Sequence, residues 1–220
     1  MNPFISTHIH LLKDVRGVIQ CGMGWDPKEV EIWNQHGIKN QIYVEPLPRA
    51  FATLLTETAK YRSPDTDIHC FNCAASNVDG EAKFHVSINP NSCSLLEFDE
   101  GRPEILKNDY MTDTIKVQTF RLDSLVKLIG IDWKKYNLLF LDVQCGEHLV
   151  LAGAREVLPY MEYVAMEVAT VSVYTGSLLY DEYSMLMWGL GFEEFAKEPL
   201  YVTPEGEVYT YDVLYKRRGM

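Results

Sequence analysis

The chain has 220 residues, a formal net charge of -11 at pH 7, and 47% hydrophobic and 23% charged residues. This length predicts one domain over residues 1–220 with a substantial core, and the composition excludes disordered and fibrous classes. Because so negative a surface repels phosphate backbones, we expect no nucleic-acid partner. The sequence contains neither a run of about 18 uncharged apolar residues nor a signal-peptide pattern, so we expect a cytoplasmic protein without membrane association.

Hydrophobic periodicity divides the chain into alternating strands and helices. The predicted strands cover residues 17–20, 41–45, 68–74, 84–88, 115–120, 138–143, 163–168, 192–195 and 208–215. The predicted helices cover residues 26–37, 50–61, 123–129 and 181–190, and a further helix begins at Glu147. At the first helix, Asp26 is the predicted N-cap, followed by Pro27 and, three residues after the cap, Glu29.

This alternation predicts an α/β fold with a mostly parallel sheet and helices on both faces. The last two strands predict a C-terminal antiparallel hairpin. Residues 89–113 combine Asn, Ser, Pro and Gly without a sustained period, which predicts a long loop. Long loops in compact domains are usually functional.

Five cysteines, an odd number without a framework spacing, are typical of free thiols in a reducing compartment. Cys70 and Cys73 have C-x-x-C spacing, but they lie on a predicted strand and lack a second pair. We therefore expect two buried or half-buried thiols and no zinc site.

A glycine turn with Gly22 and Gly24 lies between the first predicted strand and the first helix. Because glycine has no side chain, such a turn lets the backbone approach a nucleotide-like cofactor closely. Glu45 ends the second strand, where a carboxylate accepts hydrogen bonds from both hydroxyls of a ribose. NAD and S-adenosylmethionine enzymes share both features, and a structural turn beside an exposed carboxylate would also explain them.

Four later segments, in this order, carry a resemblance that spans most of the chain. They are Ile42–Pro48, Leu122–Leu125, Leu141–Glu147 and Val150–Ala154. Together they resemble the FkbM-type methyltransferases. The resemblance implies a class I, Rossmann-like methyltransferase fold, S-adenosylmethionine as cofactor, and methylation of hydroxyl oxygens on natural products or sugars.

The ends of the later strands supply the candidate catalytic residues. Methyl transfer from a sulfonium is an in-line displacement in which positioning supplies much of the rate, so no metal is predicted. Asp142 is the candidate general base, because partial burial at a strand end would raise its pKa. Glu147 and His148 are alternatives, and Glu167 is a candidate on the substrate side. The predicted cofactor-binding residues are Gln20, Gly22, Gly24, Glu45, Asn72 and Asp142.

Some of these candidates also have a purely structural interpretation. Glu147 in a first helical turn would stabilise the positive end of the helix dipole, and a single histidine such as His148 is more often packed or exposed than catalytic. The segment Asn91–Leu95 resembles a serine-rich stretch of the same family, whose hydroxyls would contact cofactor or acceptor. Ordinary loop polarity explains that segment equally well.

Three residues depart from the family pattern: Gln20 replaces an acidic residue, and Asp26 and Cys145 replace glycines. They favour a second hypothesis, in which the fold is retained by a binding or interaction protein without catalysis. A third hypothesis, a nicotinamide-dependent oxidoreductase, shares the glycine turn and Glu45 but leaves the later segments and the hairpin unexplained. We predict an O-methyltransferase acting on a small molecule or sugar. The sequence predicts neither the individual acceptor nor the oligomeric state.

Overall fold

The computed structural model describes His10 and residues 14–219, apart from the side chain of Val126. The strands of this part of the chain are β1 Gly17–Cys21, β2 Asn40–Val44, β3 Asp67–Phe71, β4 Ala74–Ala75, β5 Gly80–Ser87, β6 Met111–Phe120, β7 Leu138–Leu141, β8 Tyr163–Ala169, β9 Phe192–Val202 and β10 Val208–Arg217. The helices are α1 Glu29–Gln35, α2 Pro48–Ala59, α3 Leu122–Ile129, α4 Glu147–Ala152 and α5 Tyr180–Gly189.

Seven strands form the main sheet, in the order β3-β2-β1-β7-β8-β10-β9. The strands from β3 to β8 in this order are parallel, whereas β10 pairs antiparallel with both β8 and β9. The predicted class I methyltransferase topology, with a mostly parallel sheet and a C-terminal antiparallel hairpin, is confirmed.

Apolar residues cover both faces of this sheet, because alternate residues of a strand point to opposite sides. Val18 of β1 packs with Trp33 of α1 and Leu54 of α2. Its neighbour Ile19 packs in a second cluster that includes Tyr183 of α5. Helices therefore lie on both faces, and the polar strand ends remain at the edges of the sheet.

The segment between β3 and β7 departs from the prediction of one continuous sheet. There β4, β6 and β5 form a separate three-stranded sheet in that order. The predicted strand 68–74 is divided, because the chain leaves the main sheet after Phe71 and Ala74 pairs with Thr119 of β6 instead. Phe84 and Val117 bury one side of this small sheet, packing in a cluster with Leu47.

The first helix begins later than predicted. Its N-cap residue is Lys28 rather than Asp26, and no side chain caps it. The Asp26 carboxylate instead pairs with the Lys28 ammonium at 2.5 Å, and the Asp26 carbonyl accepts the Lys28 N–H. Asp26 is thus occupied by a local turn, and the regular helix starts at Glu29.

Candidate functional site

A cavity of about 370 Å³ opens at the carboxyl ends of the parallel strands. This volume is in the range of small-molecule sites, and ligands of open α/β sheets bind at this edge. Six of the predicted site residues line the cavity: Gln20, Gly22, Gly24, Glu45, Asp142 and Glu167. The cavity therefore joins the end of β2 to the end of β8 across β1 and β7.

Gly22 and Gly24 give the turn after β1 its shape. Gly22 has φ +82°, and its N–H donates to the Val44 carbonyl at 2.9 Å. A Cβ on Gly22 would lie 1.8 Å from the carbonyl oxygen of Asp142, which excludes every other residue from this path. Gly24 has φ +56°, and a Cβ there would approach Asn91 Oδ1 to 3.3 Å. The turn thus crosses directly over the end of β7.

Glu45 is buried, and its carboxylate accepts hydrogen bonds from the backbone around it. Oε2 accepts the Met23 N–H at 3.0 Å, and Oε1 accepts the Leu47 N–H at 2.8 Å. Burial raises the pKa of Glu45 to about 7, against the lowering effect of these bonds. A backbone hydrogen bond from Gly24 lowers the pKa as well, so three of the four acceptor positions of the carboxylate are used and one remains. Glu45 holds the glycine turn and keeps capacity for a ligand on the cavity side.

Gln20 lies under the glycine turn and is 1% exposed. Its Oε1 accepts the indole N–H of Trp33 at 2.9 Å, which links β1 to α1. A neutral amide makes this bond without burying a charge. The replacement of the family's acidic residue by Gln20 is therefore accommodated by a specific partner.

Asp142 directly after β7 and Glu167 of β8 provide two more carboxyl groups to the cavity. Asp142 is half-buried and its Oδ1 accepts the Gln144 Nε2–H at 2.8 Å. Burial raises the pKa of Asp142, and nearby Glu29 raises it further. The pKa of Glu167 is also raised, first by burial and then by the charge of Asp142. Two interacting carboxyls of this kind favour sharing a proton, because both charges together are costly.

The turn after Asp142 has an unusual backbone. Gln144 and Cys145 have φ +55° and +65°, the left-handed region that costs non-glycine residues about 1–2 kcal/mol. The Ser94 hydroxyl donates to the Gln144 carbonyl at 2.8 Å, and Glu147 Oε1 accepts the Val143 N–H at 3.1 Å. Cys145 thus adopts the conformation that the family's glycine adopts freely, so this departure leaves the path of the chain intact.

Glu147, a predicted catalytic candidate, lies outside the cavity wall. Its side chain is buried and does not line the cavity. Besides the Val143 N–H, it accepts the Tyr183 O–H at 3.3 Å, and burial raises its pKa to about 8. The backbone N–H of His148 donates to the same Tyr183 oxygen at 3.1 Å, and His148 is also absent from the cavity wall. Glu147 instead holds the turn and α5 together.

Asn72, a predicted cofactor-binding residue, is exposed and does not line the cavity. Its Nδ2 donates to the carbonyls of Glu45 at 2.9 Å and Pro46 at 3.1 Å. The amide side chain therefore fixes the backbone after β2, where both of these residues line the cavity.

The segment Asn91–Leu95 lies against the cavity, but its serine hydroxyls do not line the wall. Asn91, Cys93 and Leu95 line the cavity, whereas the buried Ser94 hydroxyl bonds to the Gln144 carbonyl. Ser92 is not part of the wall. Contacts with a ligand would therefore come from the amide, thiol and apolar side chains of this segment.

Sequence interpretation missed an apolar wall contributed by distant segments. Its members include Trp25, Leu47, Phe84 and Leu200. The Arg49 guanidinium lies over the Trp25 ring, 4.8 Å from its centroid, while the buried indole nitrogen of Trp25 has no hydrogen-bond partner. Only Trp25 had a local signal, since it follows the glycine turn directly.

The five cysteines are free, and Cys70 is half-buried while Cys73 is buried, as predicted. Over the residues that the structure describes, no group of His, Cys, Asp and Glu side chains is arranged to hold a metal ion. Within the same part of the chain, every helix is too short or too polar to cross a membrane.

A family model described as the methyltransferase FkbM domain matches residues 28–194. The chain belongs to the FkbM methyltransferase family. It is a methyltransferase, and S-adenosylmethionine is its cofactor. The matched region of this FkbM methyltransferase contains Glu45, Asp142 and Glu167 and begins after the glycine turn. No curated protein matches the chain significantly in sequence.

Solved structures similar to this FkbM methyltransferase support its fold. A proposed RNA methyltransferase from Pyrococcus horikoshii has a TM-score of 0.50 and 10% identity, over 98% of this chain and 82% of the other. The methyltransferase domain of a bacterial CtHen1 also has a TM-score of 0.50 and 10% identity, over 96% of both chains. At these identities, the likeness concerns the fold alone.

Proposed function

We propose that this FkbM methyltransferase transfers a methyl group to a hydroxyl oxygen of a sugar or another small molecule, and that residues 1–220 act as one domain. The observation that supports this proposal is one cavity lined by a glycine turn, Glu45 and Asp142. The turn and Glu45 have the features required for a nucleoside, and Asp142 is a carboxyl group suited to remove a proton.

The residues of the glycine-turn end fit S-adenosylmethionine. Gly22 lets the turn pass close to the end of β7, so backbone lines the cavity there. The Glu45 carboxylate keeps an acceptor position for a ribose hydroxyl. When bound, S-adenosylmethionine supplies an electrophilic methyl group on a sulfonium.

Asp142 is the proposed general base for the methyl acceptor. An attacking hydroxyl must lose its proton as the new oxygen–carbon bond forms and the carbon–sulfur bond breaks, and Asp142 receives that proton. Gln144 engages Oδ1 of Asp142, which orients Oδ2 for the acceptor. Burial raises the Asp142 pKa and makes its carboxylate more basic. Glu167 then accepts a hydrogen bond from the acceptor and positions its reacting oxygen.

The hypothesis of an inactive binding protein receives less support than catalysis. Gln20 is satisfied by the Trp33 indole, and Cys145 follows the glycine path. Asp26 is exposed at the cavity rim and paired with Lys28. None of the three departures fills the cavity. Membership of the FkbM family also excludes the nicotinamide-dependent oxidoreductase.

Product analysis and the Asp142→Asn variant test this proposal. Calorimetry should detect S-adenosylhomocysteine binding, and label from methyl-tritiated S-adenosylmethionine should enter hydroxylated compounds as base-stable methyl ethers. Asp142→Asn preserves the shape but removes the base, so the rate at saturating donor should fall by roughly 10²–10⁴ while S-adenosylhomocysteine affinity changes little. Glu147→Gln is a matched control, because Glu147 lies outside the cavity wall.

Two results would contradict the proposal. The first is label confined to nitrogen or sulfur acceptors. The second is an Asp142→Asn protein that loses S-adenosylhomocysteine binding yet keeps its rate at high donor concentration, which would place Asp142 in the donor site.

A further inference from the structure

We propose that the acceptor of this methyltransferase carries no anionic group, and that the cavity rejects phosphorylated and carboxylated compounds in favour of their neutral or amino counterparts. This inference rests on the proposed function, since it concerns the acceptor end of the same cavity. It is carried by the charges, the helix N-terminus and the apolar surfaces that surround that end.

The cavity wall is acidic and has no basic side chain in the part of the chain that the structure describes. Its buried or half-buried carboxyl groups belong to Glu29, Glu45, Asp142 and Glu167. Sites that bind phosphate or carboxylate usually present Arg or Lys donors to it. The Arg49 guanidinium stacks on the Trp25 ring and is not part of the wall.

Helix N-termini are the other usual anion sites, and at α1 the chain's own carboxyl group lies at this position. Glu29 is the first residue of α1, and its side chain lines the cavity. Because this carboxyl group lies at the positive end of α1, an incoming phosphate would be repelled there.

Three carboxyl groups interact at the acceptor end. Asp212 of β10 is paired in register with Glu167 of β8, and both Asp212 and Asp142 raise the Glu167 pKa. A further anion beside Asp142 and Glu167 would be repelled by the negative charge that this pair retains when it shares a proton, in a site of low dielectric constant. A repulsion of this kind weakens binding by about tenfold or more. Hydroxyl or ammonium donors would instead satisfy the carboxylate oxygens.

The remaining wall suits an uncharged surface. Trp25, Phe84, Leu95 and Leu200 give apolar area on which a ring or chain would pack. An acceptor with hydroxyls on one side and carbon on the other therefore complements the cavity, whether it is neutral or carries an amine.

Ligand-observed saturation-transfer NMR on the full chain saturated with S-adenosylhomocysteine tests the inference with probes that differ in charge. One set of probes is glucose, glucosamine, glucuronic acid and glucose 6-phosphate; a second is tyrosol, tyramine and 4-hydroxyphenylacetate. We expect signals from neutral or amino members and none from the anionic members of the same set. Equal or stronger binding of the anionic members would overturn the inference, as would binding by no neutral or amino member.

The variant Glu167→Gln tests whether charge causes the discrimination. This variant should reduce the ratio of the affinities for neutral and anionic probes by about tenfold. Asp65→Asn is the matched control, because it removes one charge at an exposed site before β3, at the opposite edge of the sheet. Unchanged discrimination in Glu167→Gln would contradict the role of charge. If this variant does not fold, as judged by circular dichroism, the wild-type probe series decides.

The two proposals fail in distinguishable ways. Absence of S-adenosylhomocysteine binding in calorimetry, measured before any probe is added, would contradict the proposed function itself. S-adenosylhomocysteine binding together with a preference for anionic probes would contradict only the inference about acceptor charge.

Discussion

Replacing Gly22 by Ala should damage both stability and cofactor binding, for reasons that can be separated. The left-handed backbone at φ +82° costs a residue with a Cβ about 1–2 kcal/mol. In addition, the new Cβ would lie 1.8 Å from the Asp142 carbonyl oxygen, whereas ordinary contact begins at 3.4 Å. The turn must therefore move away from the end of β7.

That movement breaks hydrogen bonds on both sides of the turn. The Gly22 N–H donates to the Val44 carbonyl, and the Asp142 N–H donates to the Cys21 carbonyl, both at 2.9 Å. Losing both adds roughly 1–3 kcal/mol, at 0.5–1.5 kcal/mol for each bond. Gly22→Ala should thus lower the free energy of unfolding by about 2–5 kcal/mol in total. S-adenosylhomocysteine affinity should fall by about tenfold or more, because the donor surface is displaced.

Gly37→Ala is the matched control for this experiment. Gly37 also has a left-handed φ of +73°, but nothing lies within 4 Å of an added Cβ. Gly37→Ala should lower the free energy of unfolding only by the cost of the left-handed backbone, about 1–2 kcal/mol, and should keep its affinity for S-adenosylhomocysteine. Urea unfolding and calorimetric titration of both variants provide the two measurements. The reasoning is refuted if Gly22→Ala loses no more stability than Gly37→Ala and binds S-adenosylhomocysteine like the wild type.

Two further predictions concern the buried carboxyl groups. Glu45→Ala removes a charged acceptor worth roughly 1.5–3 kcal/mol, so calorimetry should give about tenfold weaker S-adenosylhomocysteine binding. The rate at saturating donor should change less. A large loss of rate with unchanged binding would contradict the assignment of Glu45 to the donor. Burial raises the pKa of Glu147 to about 8, so its contribution to stability is complete below its unfolded pKa and is lost as pH rises through about 8. Glu147→Gln, which cannot ionise, should lose less thermal stability than the wild type between roughly pH 5 and pH 9. If the melting temperatures of the two proteins fall equally over this pH range, the effect is excluded.

The main sheet could be predicted because its strands have strong local signals. The buried run of β7 and the glycine turn after β1 each identify a strand end from a few neighbouring residues. The small second sheet could not be predicted, because the alternation in β5 and β6 indicates a strand but not its partner. That pairing depends on the packing of Phe84 and Val117 with Leu47, which are distant in sequence.

The candidate site was predictable where the backbone alone determines position. Glu45 and Asp142 directly follow parallel strands, so the sheet brings them to one edge. Glu147 is only five residues beyond Asp142, yet its side chain points into the protein toward Tyr183. That direction depends on tertiary contacts that no local pattern encodes. Leu200 likewise reaches the cavity only because the hairpin folds back beside β8.

The C-terminal hairpin supplies a part of the cavity wall that is separate from the turn after β1 and Glu45. Strand β9 lies at the edge of the main sheet and is bonded to β10 alone, yet it supplies Leu200 to the cavity wall. Mutations in β9 therefore change the acceptor surface without moving the turn after β1 or Glu45. Exchanging this hairpin would change the Leu200 side of the cavity while the donor-binding residues stay in place. The same hairpin is the natural segment for directed evolution of a new acceptor range.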